Sequence, residues 1–140
     1  MCSATPKCWC CPSAPHKATH SHHRFRRHAN LLKVSEQQVT AQGSEQVWVA
    51  DITYLPTAGA CAYLSLVTDP YSRKIVGWHV HGSLQTKEVA QAYKQAMRHR
   101  RCKTHLVHHS DRGVQYCAQH YQNLHQKYHN RCSMTDGNDC

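Results

Sequence analysis

Residues 47–56, Val47-Trp48-Val49-Ala50-Asp51-Ile52-Thr53-Tyr54-Leu55-Pro56, are strand-favouring or apolar throughout except for one acid, Asp51. β-Branched and aromatic side chains on both faces of the period-2 pattern predict a central strand covered on both sides and ended by Pro56. A carboxylate in such a strand is costly to desolvate unless it is paired, hydrogen-bonded or bound to a metal. Asp51 therefore has two readings: a structural acid satisfied by a nearby amide or basic side chain, or a ligand for a cation.

Downstream, Cys61–Thr68 is a second apolar, β-rich run, and Asp69-Pro70-Tyr71-Ser72 has turn chemistry. Lys74–His81 reads as a third strand, so residues 47–81 predict a three-stranded antiparallel meander. From Thr86 the period changes. Val89, Tyr93, Ala96 and Met97 fall at helical spacing, Thr86 is placed to cap the start, and Arg98, Arg100 and Arg101 crowd the end, where the helix dipole favours cations. Thr104–His109 predicts a short fourth strand, with Ser110–Gly113 as the turn after it. Tyr121, Leu124 and Tyr128 predict a helix from about residue 118 to 129, and Arg131–Thr135 a fifth strand. The order is mixed α/β, with the later strands reached by helical crossovers and running parallel to the first or its neighbour. That topology lets Asp111, at the carboxyl end of strand four, sit beside Asp51, and ligand sites in open α/β sheets favour that end.

Upstream, residues 1–15 form an irregular, Cys- and Pro-rich tail, and residues 16–46 a basic linker or arm. Cys8, Cys10 and Cys11 with His16, His20, His22 and His23 have zinc-ligating chemistry, but not the paired spacing of a zinc module. The basic run His22–His28 around Phe25 either tracks a phosphate backbone or is a solvated charge run. Residues 47–140 make up the core.

The length of 140 residues suits one domain with a short appendage and excludes two full domains. The net charge of +9 is spread. Six Lys/Arg against two acids give +4 before residue 47, and eleven against six give +5 after it. Both parts suit a polyanion, although charge alone also serves solubility. Nine cysteines without the apolar core of a signal peptide point to a reducing cytoplasm. No run approaches the roughly 20 apolar residues of a membrane span.

Two carboxylates on adjacent strands of a basic protein suit two-metal phosphoryl transfer, because hard oxygen ligands hold Mg2+ ions about 3.5–4 Å apart on a phosphate. Four pieces of the sequence carry a family resemblance: Gln46–Thr57; Tyr63–Asp69 with Tyr71–Trp78; His108–Tyr116; and Ser133–Thr135 with Gly137 and Cys140. Together they resemble the DDE transposases of bacterial insertion sequences, in the branch with a retroviral-integrase-like core. The similarity runs over roughly residues 16–140. It implies a ribonuclease H-like α/β fold, with three antiparallel strands followed by parallel strands and crossover helices. Asp51 and Asp111 would be the first two catalytic, metal-binding carboxylates, with Mg2+ (or Mn2+) as cofactor. It also implies DNA as partner, both transposon ends and target, with Arg112, Arg73 and Lys74 as candidate contacts. A homo-oligomer or a full-length transposase would be the protein partner, in a bacterial, nucleoid-associated setting.

The resemblance further implies a glutamate separated from Asp111 by about 35 residues, near position 147, past Cys140. The expectation is a fragment of a transposase core, inactive alone, with the final catalytic helix missing. Asp136 and Asp139 precede that helix. Glu88 reads as a surface acid, Gly113 as part of a tight turn, and His108 and His109 as residues lining the strand end. Arg112 either grips DNA or closes a salt bridge. The rival readings are a metal-dependent nuclease with another third ligand, a non-catalytic DNA-binding or inhibitory remnant, and a zinc-binding module.

Overall fold

A computed structural model describes residues 23–136. The element order is β1 (Val47–Pro56), β2 (Cys61–Asp69), β3 (Lys74–His81), α1 (Thr86–His99), β4 (Val107–Ser110), α2 (Val114–Cys117), α3 (Gln119–Lys127) and β5 (Arg131–Met134). The strands form one sheet in the order β3-β2-β1-β4-β5. β1, β2 and β3 pair antiparallel, as the meander predicts. β4 lies parallel to β1, and β5 parallel to β4. This is the right place for strands that return through helices.

One face of the sheet carries the main core. Trp48, Ala50 and Ile52 of β1 and Val67 of β2 pack with Val89, Ala92, Tyr93 and Ala96 of α1, and with Tyr116, Tyr121 and Leu124 of α2 and α3. Each large side chain buried this way contributes about 1.5–3 kcal/mol. The row Ala50–Val67–Gly77 faces α1 across three strands. A Cβ on Gly77 would lie 2.1 Å from the carbonyl oxygen of Ala92. Glycine is required there because the helix backbone comes too close for any side chain.

The opposite face corrects the expectation that β1 is covered on both sides. Val47 is covered there, by Leu31 of the arm together with Val107. Asp51 and Thr53 are exposed. In register with Asp51 stand Leu66 and then Trp78, the latter exposed along with Val80 and Ile75. Beyond Val47 the buried positions of β1, Trp48, Ala50 and Ile52, fall on one face, so the strand is anchored from that side.

The buried carboxylate of the meander is Asp69, 1% exposed. It accepts hydrogen bonds from the backbone N–H groups of Glu45 (2.8 Å), Tyr71 (3.0 Å) and Ser72 (3.3 Å). This is the turn chemistry expected of it, and it satisfies an otherwise costly charge.

Three element boundaries differ from expectation. Thr86 is the first helical residue rather than the cap; Gln85 occupies the cap position and makes no side-chain capping bond. The helix expected over residues 118–129 is α3, over Gln119–Lys127, and an unexpected short helix, α2, precedes it across Ala118, whose φ/ψ of −64°/143° is extended. The fourth strand begins at Val107 rather than Thr104. Part of the arm packs on the sheet: Leu31 is buried, and its N–H donates to Ser133 Oγ at 2.9 Å. The 1–15 tail and all of the candidate zinc ligands except His23 lie outside the described residues.

Candidate functional site

The parallel β1–β4 ladder pairs Val47 with Val107, Trp48 with His108 and Val49 with His109, a separation of 60 positions each time. Continued by two residues, the same register sets position 51 against position 111, where neighbouring strands stand about 4.8 Å apart. Asp51 is exposed on the open face, and Asp111 is half-buried just past the carboxyl end of β4.

Each acid commits one oxygen to the local backbone: Asp51 Oδ1 accepts from Ile52 N–H at 2.8 Å, and Asp111 Oδ1 from Gly113 N–H at 2.8 Å. These bonds orient the carboxylates and leave the second oxygen of each without a protein partner among the described residues. Gly113 forms the turn with an ordinary negative φ of −59°, as the N-terminal cap of α2.

Tyr116, on α2, lies near enough to both acids to feel their charges. It is fully buried, and its hydroxyl has no hydrogen-bond partner among the described residues. Burial pushes its pKa well up, and the charges of Asp111 and then Asp51 push it further the same way. Both carboxylates therefore act on one hydroxyl. Burial and the Asp111 charge likewise push the Cys117 thiol up to about 11. Tyr116 falls inside the His108–Tyr116 motif but was not singled out from sequence, because a tyrosine five residues past an acid carries no spacing signal of its own.

The two histidines before Asp111 are each held by a hydrogen bond inside the fold. His108 is fully buried, and its Nε2 bonds to the hydroxyl of Tyr121 at 3.1 Å. His109 Nδ1 bonds to Ser133 Oγ at 2.8 Å. Burial lowers the pKa of both, strongly so for His108.

Arg112 closes a salt bridge, its Nη2 3.6 Å from Asp136 Oδ1, while Lys33 Nζ lies 3.2 Å from Asp136 Oδ2. Its carbonyl accepts a hydrogen bond from His23 Nε2 at 2.8 Å, which ties the arm to the Asp111 turn. Arg73 and Lys74 are not brought to this place. Lys74 pairs with Asp69 and Arg73 lies in the β2–β3 turn, both towards the amino end of β1. Glu88 is half-buried and meets His79 at 3.1 Å. Asp139 lies outside the described residues. Among the described residues, no three His, Cys, Asp or Glu side chains converge as a metal site.

A mixed five-stranded sheet of this order, with two acids at the end of its central parallel pair, is a ribonuclease H-like α/β fold. The model of the integrase core domain matches residues 41–140. The chain belongs to the integrase core domain family. Transposase InsF for insertion sequence IS3A, from Escherichia coli strain K12, is 35% identical over 111 residues, which are 79% of this chain and 38% of that protein. The 31 kDa protein of insertion element IS600 from Shigella sonnei is 37% identical over 123 residues, 87% of this chain and 44% of that protein. The chain thus spans about two fifths of the length of these relatives. Among solved structures, the HTLV-2 integrase catalytic core domain in complex with magnesium aligns with a TM-score of 0.61 at 19% identity. The alignment covers 69% of this chain and 63% of that one, a likeness of fold. The relatives bear out the transposase resemblance read from the motifs.

Proposed function

We propose that this chain contributes to DNA transposition as part of a transposase catalytic core, with Asp51 and Asp111 as its first two metal-binding carboxylates. The observation that carries the reading is the constant β1–β4 register, whose continuation sets the two acids side by side at the carboxyl end of the parallel pair. The transposase of IS3A supports the substrate, and the magnesium complex of the HTLV-2 core supports the cofactor.

The donor set fits Mg2+ or Mn2+. Each acid offers a carboxylate oxygen with no partner among the described residues, and hard divalent cations take oxygen and retain waters. When bound, such ions polarise a phosphodiester and activate the attacking hydroxyl. The chain's own contribution is positional. The backbone N–H groups of Ile52 and Gly113 fix the carboxylates, α2 holds the neutral Tyr116 hydroxyl within the field of both, and Arg112 lies next in sequence to Asp111 as a cation for a phosphate. The net charge of +9 suits DNA. Self-association is part of the proposal, supported by the trimeric form in which the HTLV-2 core was solved.

A second reading, DNA binding without turnover, is favoured by the lack of a third converging carboxylate among the described residues. Plasmid nicking and strand transfer on pre-cut ends, with Mg2+ or Mn2+, separate the two. DNA binding with no metal-dependent nicking supports the second reading. Nicking that needs the divalent ion and falls about a thousandfold in Asp51→Asn and in Asp111→Asn, a loss of several kcal/mol of transition-state stabilisation, supports the first. Nicking that survives both substitutions in a folded protein contradicts the catalytic reading.

A further inference from the structure

A cleft of about 330 Å³ lies between the arm and the ends of β4 and β5, lined by Asn30, Leu32, Lys33, His109, Thr135 and Asp136. Its polar lining is mostly donors. Asn30 Oδ1 is committed to Leu32 N–H at 3.0 Å, which leaves the side-chain NH2 as its uncommitted group. Ser133 Oγ is buried and accepts from Leu31 N–H, so its own proton is best satisfied by donation to His109 Nδ1 at 2.8 Å. His109 then carries its proton on Nε2. Lys33 adds an ammonium, two-thirds exposed.

The one acid in the cleft, Asp136, is held from two sides, with Lys33 on Oδ2 at 3.2 Å and Arg112 on Oδ1 at 3.6 Å. Two cations from distant parts of the chain converging on one carboxylate have the geometry that would hold a phosphate group. The Arg112 guanidinium also has a buried Nε with no partner among the described residues, so it has donor capacity that Asp136 does not use. At 41% side-chain exposure, Asp136 holds its place through surface ion pairs, which are weak and easily exchanged.

We propose that this cleft is a phosphate subsite for the nucleic-acid backbone, and that Asp136 occupies it as an internal carboxylate until a phosphate displaces it. Lys33, Asn30 and His109 contact the phosphate, and Arg112, released by Asp136, turns to the same strand beside Asp111. The inference rests on the DNA-binding reading above and adds to it a site and an internal competitor.

The test uses the 140-residue chain. Inorganic phosphate and, separately, a short DNA duplex are titrated at low salt while the NMR signals of Asn30, Lys33 and His109 are followed. Asp136→Asn is expected to tighten both about two- to fivefold, and Lys33→Ala in that background to remove the gain. The duplex is expected to displace the phosphate. Unchanged affinities in Asp136→Asn, or shifts confined to other residues, overturn the subsite while leaving DNA binding by the chain intact. Phosphate bound here but not displaced by duplex overturns the assignment to a nucleic-acid backbone. If Asp136→Asn unfolds, Lys33→Ala alone decides: a two- to fivefold loss for both ligands supports the subsite, and no loss overturns it.

Discussion

His125 illustrates what a buried ring costs and what it offers. Asn130 Nδ2 donates to the Tyr93 hydroxyl at 2.6 Å, and that hydroxyl in turn bonds to His125 Nδ1 at 3.3 Å, an arrangement that suits a neutral imidazole. Burial, and then the nearby charge of His28, hold the pKa of His125 down to about 4, against an ordinary 6.5. Between these values the unfolded chain takes up a proton that the folded chain refuses, so stability falls as pH falls. The contribution is complete above pH 6.5 and diminishes towards pH 4, by about 3 kcal/mol for this residue. Urea melts across that range should show the decline, with His108 adding to it in the same direction. His125→Asn, which keeps an acceptor without a titrating ring, should flatten it. The same scale shows where sequence reasoning misplaced a charge. It assigned burial to Asp51, whereas the acid enclosed by the fold is Asp69. A period-2 pattern cannot say which of its two faces is covered, and nothing in the sequence announces that Glu45 N–H will reach Asp69.

Among elements, the decisive contact is α1 on β3, whose spacing Gly77 sets. Gly77→Ala would force a Cβ to 2.1 Å from the Ala92 carbonyl oxygen, and the backbone of α1 cannot yield as a side-chain tip can. A loss of about 3 kcal/mol is expected, seen as a lower urea midpoint with an unchanged slope. The strands of the meander and α1 were legible because their apolar spacing is long and regular; β3 lies over Lys74–His81 in both reading and structure. The short helix α2 was not legible. Its four residues are too few to show a helical period, although Tyr116 and Cys117 both reach the core. The docking of the arm was hidden for a similar reason, since Leu31 is one apolar residue in a basic stretch and its partners, Val47, Val107 and Ser133, are remote in sequence. The nearness of Asp51 and Asp111 depended on strand order, which the crossover pattern allowed and the parallel β1–β4 pairing bears out as far as Val49 and His109.

At the scale of the molecule, a charge of +9 acts on any long polyanion before specific contacts form. DNA affinity should fall steeply between about 50 and 200 mM salt and differ little between unrelated duplexes, because phosphate contacts carry no sequence information. Fluorescence anisotropy on two duplexes at two salt concentrations measures this, and salt-insensitive or strongly site-selective binding would contradict it. The central claim is narrower: Asp51 and Asp111 hold a metal ion together. Calorimetric titration of Mn2+ into the parent chain, Asp51→Asn, Asp111→Asn and the double variant tests it most directly. Binding in the parent, its loss in either single variant and little further loss in the double variant is the predicted result, since one shared site can be lost only once. No binding in the parent, or fully additive losses, would contradict the account.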